Sequence, residues 1–208
     1  AKYAFLVGDM PFLSYEITTA KAIRNAGRFL KEAGLDAVKL EGGQEVAETI
    51  RAIVNAKIPV MGHIGLTPQA VSQLGGFWVQ GKTAVSAQKL LDDALALQDA
   101  GCFAIVLEAM PAPVASAISQ RLRIPTIGIG AGAGCDGQVL VYHDLLGLFD
   151  KFQPRFVKQY ANLSQTIVEA LTAYREDVPP RRFPAAEHTY SMAAAEEAAF
   201  RERLEIED

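Results

Sequence analysis

Short apolar runs alternate with helix-patterned stretches along most of this chain, and that rhythm constrains the fold more than any other feature. The runs are Tyr3–Val7, Ala37–Leu40, Pro59–Met61 and Phe103–Leu107, with further strand-like runs at Pro125–Ile129 and Gln138–Tyr142. Between them lie apolar stripes with helical spacing: Ala22, Ala26, Phe29, Leu30 and Ala33, then Val46, Ile50, Ile53 and Val54. Strands alternating with helices build a parallel sheet. The spacing predicts helices over about 17–33, 44–56, 86–100 and 114–122, with Gly34 as a stop after the first. The fold class expected is α/β, a parallel (β/α)8 TIM-type barrel. A closed barrel of that kind has eight strands in about 250 residues. Six strand-like runs in 208 residues lead us to expect that about two N-terminal strand–helix units are lacking.

The long segment Gly65–Ala84 interrupts the rhythm with Gly75-Gly76, the single tryptophan Trp78 and Gly81, and reads as an active-site loop or lid. After the last strand, Phe156, Tyr160, Leu163, Ile167, Leu171 and Tyr174 hold a helical period. A Pro-rich linker over Asp177–Pro184 precedes a tail rich in Ala and Glu. The division expected is a barrel domain over 1–184 and a helical tail over 185–208.

Composition narrows the functional classes. Half of the residues are hydrophobic and 21% are charged, as in an ordinary globular domain. A formal charge of -4, with dispersed Lys and Arg, gives no footprint for nucleic acid. No apolar stretch reaches the length of a membrane span, and the first residues do not form a signal peptide. Cys102 and Cys135 lack CxxC spacing and read as two free thiols of a cytoplasmic protein.

The chemistry gathers where the strands end. Asp9, Lys39, Glu41, His63 and Glu108 each fall at or near the carboxyl end of an apolar run. In α/β barrels that rim carries the active site. Three carboxylates, a lysine and an imidazole are too many to bury without partners or a ligand. Lys39 and Glu41 are two apart on one strand and therefore share a face. Asp9 and Glu41 could supply oxygen ligands to a hard divalent ion, leaving Lys39 for a substrate carboxylate or oxyanion. An internal Lys39–Glu41 salt bridge is the structural alternative. His63 could hydrogen-bond a substrate oxygen or be a satisfied core residue. Glu108 ends the most apolar strand, where desolvation favours a general base for carbon acids, or it is simply paired with a neighbouring Arg or amide. Ser14 and Tyr15 are turn residues with no independent role. The run Gly128-Ile-Gly-Ala-Gly-Ala-Gly134 lacks the Lys-Ser/Thr of a P-loop and serves close approach between a strand end and a loop. There is no GxSxG elbow, no zinc-type cluster, and no nucleophile at readable spacing from His143 or His188.

Several motifs are long enough to carry a resemblance. Gly8-Asp-Met-Pro-Phe-Leu-Ser-Tyr15, Val38-Lys-Leu-Glu-Gly-Gly43, Pro59-Val-Met-Gly-His-Ile-Gly-Leu-Thr-Pro-Gln69, Val106-Leu-Glu108, Ile124-Pro-Thr-Ile-Gly-Ile-Gly-Ala-Gly132, Cys135-Asp-Gly-Gln-Val-Leu-Val141 and His143-Asp-Leu-Leu-Gly147 occur in order. Together they resemble the ketopantoate hydroxymethyltransferase family, of the phosphoenolpyruvate/pyruvate-type barrels, from about residue 3 to Phe183. The resemblance implies transfer of a hydroxymethyl group from 5,10-methylenetetrahydrofolate to 3-methyl-2-oxobutanoate in pantothenate biosynthesis, with Mg2+ as cofactor. It implies Asp9 as metal ligand and substrate contact, Glu41 as second metal-associated carboxylate, Lys39 and His63 as substrate-binding, and Glu108 as proton acceptor. It also implies a homo-oligomer, a decamer in this family, and no nucleic-acid or membrane partner. The family's Asp-Ser-containing Gly loop upstream of the Asp-Met-Pro-Phe segment has no counterpart in this sequence. Two other readings remain at this stage: a metal-dependent carbon–carbon lyase of the same barrel superfamily, and a non-catalytic assembly subunit.

Overall fold

The computed structural model describes residues 4–70, 76 and 78–204. Two compact units are distinguished: residues 1–141 with 154–157, and residues 142–153 with 158–208. The first holds a six-stranded sheet of β1 (Val7–Asp9), β2 (Ala37–Glu41), β3 (Val60–Gly65), β4 (Ala104–Glu108), β5 (Thr126–Ile129) and β6 (Gly137–Gln138). Each strand lies beside its sequence neighbour, and every pairing is parallel. Unbroken sequential order is the pattern of a barrel wall, whereas a doubly wound sheet reverses direction partway. The expected α/β barrel architecture therefore holds, with six strands among the described residues where a closed barrel has eight.

The crossovers are α1 (Thr19–Ala33), α2 (Ala47–Asn55), α3 (Ala84–Ala100) and α4 (Ala112–Arg121). Their ends follow local chemistry. The Thr18 hydroxyl accepts from the Lys21 amide at the start of α1, and Gly34 closes it with a left-handed backbone, φ 65°. Thr83 and Ser86 form a reciprocal cap that starts α3 two residues earlier than the sequence pattern indicates. A 3-10 turn over Gln44–Val46 occupies what reads in sequence as the first turn of α2.

The two faces of the sheet separate cleanly by the period of 2. Val38, Leu40, Val60, Ile64, Ile105 and Leu107 pack with Ala22, Ala26, Ile50, Ile53, Leu97 and Ile118 of the helices in one large core. On the other face Met61, Ala104, Val106 and Ile129, with Val7 and Ile127, form a smaller apolar floor. Lys39, Glu41, His63 and Glu108 belong by alternation to this second face. Along β1, β3 and β4 the floor residues precede the polar one on the same strand, while Ile129 lies level with Glu108.

Three sequence expectations shift. The first strand is Val7–Asp9 rather than Tyr3–Val7, because its ladder partner Ala37–Lys39 sets the register; residues 1–3 lie outside the described residues. The last strand shrinks to Gly137–Gln138. As the sheet edge it has a neighbour on one side only, and Val139 and Val141 stay exposed. Tyr142 instead opens the short helix α5 (Tyr142–Leu145). The helical period from Phe156 is realised only in α6 (Leu163–Asp177), since Phe156 is drawn against Gly130 of the glycine loop. The tail forms α7 (Ala194–Arg203), which buries no residue. No described helix is long and apolar enough to cross a membrane. The presumptive lid over Gly65–Ala84 is described only in part, with residues 71–75 and 77 outside the described set.

Candidate active site

Register places the cluster. Asp9 lies opposite Lys39 in the β1–β2 ladder, Glu41 opposite His63 in β2–β3, and Gly65 opposite Glu108 in β3–β4. All five proposed side chains therefore rise from the carboxyl ends of four adjacent strands.

Contacts run across them in sequence. The Lys39 ammonium donates to Asp9 Oδ1 at 2.7 Å and lies 3.2 Å from His63 Nδ1. An ammonium has only donors, so Nδ1 must accept, and the imidazole carries its proton on Nε2. That Nε2 is 3.0 Å from Glu108 Oε2. The two are close but not aligned for a hydrogen bond, which leaves His63 Nε2 a buried donor without one. Such an atom is costly in a finished core and ordinary in a site that awaits a ligand. His63 is thus not a satisfied core residue. Nor does Lys39 form the internal bridge to Glu41 that strand spacing allowed, since its carboxylate partner is Asp9.

Glu41 is almost fully buried. Its Oε2 accepts the Gln69 amide at 3.0 Å, and its Oε1 stands 3.6 Å from His63 Nδ1. Burial pushes its carboxyl above the usual carboxylate range, opposed chiefly by the hydrogen bond from the Gln69 amide. Asp9 is the exposed member of the group.

Three residues that sequence reading set aside or missed also shape the site. Tyr15 is buried, its hydroxyl bonded to the Glu41 backbone at 3.1 Å and 3.2 Å. Burial, and then the charge of Glu16, push its phenol upward. Gln69 reaches from the β3–α3 connection to the Met10 carbonyl at 2.9 Å. Asp93 of α3, 4% exposed, accepts from the Gln44 amide at 3.1 Å and from Lys89 Nζ at 2.7 Å. Its carboxylate stands where a Cβ on Gly43 would fall, and so locks the loop that follows Glu41. A polar residue within an apolar helix stripe is the signal that could have flagged Asp93. Tyr15 offered none, because its partner is backbone.

The glycine run serves close approach, as its composition indicated. A Cβ on Gly132 would fall 2.5 Å from Ala112 Cβ, and one on Gly134 2.8 Å from Ser116 Cβ. Asp136 anchors that loop by accepting the Thr126 amide and hydroxyl at 2.8 Å and 3.0 Å.

An all-parallel sheet in sequential order, with carboxylates, a lysine and an imidazole in contact at its carboxyl ends, is the arrangement of a β/α-barrel enzyme. Comparison with known proteins makes the class specific. Residues 1–186 match the family described as Ketopantoate hydroxymethyltransferase, and the chain belongs to that family of hydroxymethyltransferases. It is 60% identical over 187 residues to 3-methyl-2-oxobutanoate hydroxymethyltransferase of Moorella thermoacetica, covering 90% of this chain and 70% of that protein. The enzyme of the same name from Syntrophobacter fumaroxidans is 57% identical over 196 residues, covering 94% and 70%. That of Oleidesulfovibrio alaskensis is 55% identical over 204 residues, covering 98% and 71%.

Proposed function

We propose that this protein transfers a hydroxymethyl group from 5,10-methylenetetrahydrofolate to 3-methyl-2-oxobutanoate, giving 2-dehydropantoate. The observation that carries the reading is the contact series Asp9–Lys39–His63–Glu108 at the strand ends. It juxtaposes a cation for the acid with a carboxylate free to take a proton.

The donor set fits magnesium. Among the described residues no three His, Cys, Asp or Glu side chains converge as a ligand cage. Asp9 and Glu41 nevertheless offer oxygens from adjacent strand ends. Mg2+ is characteristically held by one or two carboxylates, with substrate and water completing its shell. When bound, the ion polarises the 2-oxo group and offsets charge on the enolate oxygen.

The remaining steps fall to the chain. Lys39 holds the substrate carboxylate through a donor not committed to Asp9 or His63. Glu108 takes the C3 proton, and the C–H electron pair passes into the enolate. His63, whose buried Nε2–H has no hydrogen-bond acceptor in the protein, donates it to a substrate oxygen. Water cleaves the two C–N bonds of the folate methylene, its protons going to the two nitrogens and its oxygen leaving with the carbon as formaldehyde. The C3 electron pair then forms the new carbon–carbon bond to that carbon, and the displaced C=O pair takes the proton held by Glu108 to become the hydroxyl. The apolar floor of Met61, Ala104, Val106 and Ile129 suits the two methyl groups of the substrate.

Deuterium exchange at substrate C3, measured without folate in the full-length protein, isolates the proton step. Glu108→Gln keeps the shape but cannot take a proton, so exchange falls by about 10²–10⁴-fold. Exchange at the parent rate would remove Glu108 as the base. Product that forms without methylenetetrahydrofolate, or cleavage of a single substrate, would favour the lyase reading. Sedimentation of the full-length protein tests the homo-oligomer that the family implies.

A further inference from the structure

The β1–β2 ladder is broken at one rung, directly beside the site. The Met10 amide donates to the Lys39 carbonyl at 3.0 Å. In a regular parallel ladder the next bond would run from the Glu41 amide to the Met10 carbonyl. Neither group makes it. The Glu41 amide donates to the Tyr15 hydroxyl at 3.2 Å, and the Met10 carbonyl accepts Gln69 Nε2 at 2.9 Å. The hydroxyl in turn donates a hydrogen bond to the Glu41 carbonyl at 3.1 Å. Two side chains have replaced one backbone bond.

The positions on either side of this break are informative. Asp9 immediately precedes Met10, and Glu41 is the other end of the missing rung. The Gln69 main-chain amide in addition holds Glu41 Oε2 at 3.0 Å. One residue therefore touches the Glu41 carboxylate through its backbone and the Asp9 neighbour through its side chain. Tyr15 fixes the Glu41 backbone from a third direction, and it is buried with a relative exposure of 3%.

We propose that Tyr15 and Gln69 are positioning residues: by wedging open the last rung between β1 and β2 they set where the Asp9 and Glu41 carboxylates stand relative to each other, and hence the affinity for a divalent cation. The proposal rests on the reading of Asp9 and Glu41 as metal-associated carboxylates. Closing the rung would draw Met10 and Glu41 into a normal ladder and carry both carboxylates with them. Partners that orient ligands from outside the coordination shell govern metal affinity by about 10–100-fold.

Two variants of the full-length protein test this, with Mn2+ as the probe, free ion read by electron paramagnetic resonance, and thermal unfolding recorded alongside. Tyr15→Phe keeps the buried ring and removes the hydroxyl. Gln69→Met keeps the chain length and the main-chain amide but removes the bridge to Met10. Each raises the Mn2+ dissociation constant by about 10–100-fold, and each raises the Mg2+ concentration needed for half-maximal C3 exchange. At saturating Mg2+ exchange returns to the parent rate, because Lys39 and Glu108 are untouched. The double variant loses less than the two singles combined, since both act on one break. Parent-like Mn2+ affinity in both variants, with only a lowered unfolding temperature, would overturn the proposal and leave a purely structural role. Absence of both Mn2+ binding and C3 exchange in the parent would overturn the proposed function itself, and with it this inference.

Discussion

Gly65 faces Glu108 across the β3–β4 ladder and has φ +97°, and a Cβ built on it would lie 2.1 Å from the Glu108 carbonyl oxygen. Real Cβ contacts under 3.0 Å essentially do not occur, so in Gly65→Ala the two strand ends must part by about 1 Å, a shift that costs on the order of 10²-fold when it misplaces a catalytic group. The obstacle is backbone, and the Leu66 amide also holds that carbonyl at 2.9 Å, so the strain cannot pass into a flexible side chain. Glu108 moves with it. Holding Ala at this φ adds backbone strain of about 1–3 kcal/mol. In a chain of this size each kcal/mol lowers the unfolding temperature by about 2–4 °C.

Gly34 separates the two effects. It also has positive φ, +65°, but a Cβ there meets nothing within 4 Å, and it caps α1 on the side of the strand starts. Gly34→Ala therefore loses about 1 kcal/mol and exchanges substrate C3 protons at the parent rate. Gly65→Ala, assayed by the same exchange at a temperature where it is fully folded, falls by about 10²-fold. If Gly65→Ala remained folded and exchanged as fast as Gly34→Ala, the placement of Glu108 would not govern proton removal, and its assignment as the base would fail.

Asp9→Asn removes a hard anionic donor, so Mg2+ and 3-methyl-2-oxobutanoate binding weaken together in calorimetric titration, whereas a change in one alone would separate the two roles. Asp136 has its carboxyl held below the usual range by the Thr126 amide and hydroxyl. A depressed folded-state value contributes stability above the unfolded pKa that is lost as pH falls through the folded one. Asp136→Asn therefore flattens the acid limb of the stability–pH curve, and an unchanged limb would refute the assignment. Burial pushes the Cys102 thiol up to about 12, so at pH 8 it resists alkylation by iodoacetamide until the protein unfolds; rapid labelling of native Cys102, read by peptide mass, would contradict its placement.

The main course of the fold was legible because strand and helix signals agree with tertiary packing over most of the sheet. Ala37–Glu41 is a strand as read, since alternation there puts Val38 and Leu40 on the helix face and Lys39 and Glu41 on the other. Legibility fails where one signal has no tertiary partner. Val139 and Val141 have strand chemistry, yet an edge position supplies them no second ladder. The gathering of the five proposed site residues was legible because polar groups at strand ends are conspicuous. Their supports were not: Tyr15 and Gln69 act on backbone atoms of residues 26 and 59 positions away in sequence, and such separation is set by sheet register rather than by spacing. The identity of the Lys39 partner was likewise a matter of register. Asp9 is its ladder neighbour, while Glu41, nearer in sequence, is turned to Gln69 and His63.

The charge balance of the cluster gives a reason why such supports would be needed. Asp9, Glu41 and Glu108 stand against the single ammonium of Lys39, a formal excess of two negative charges when all three are ionised. His63 contributes no compensation while it accepts from Lys39 at Nδ1. Carboxylates left in that condition relax apart or take up protons, and burial pushes the Glu41 carboxyl above its usual range. On the proposed function, a divalent cation held by Asp9 and Glu41 would offset that formal excess and leave Glu108, which lies beside an imidazole nitrogen rather than a full charge, un-neutralised. The proposed base would thereby stay able to take a proton while the proposed metal side is balanced. That division requires Asp9 and Glu41 to be held as a pair against their own repulsion, and the Tyr15 hydroxyl and the Gln69 amides occupy the positions from which this can be done.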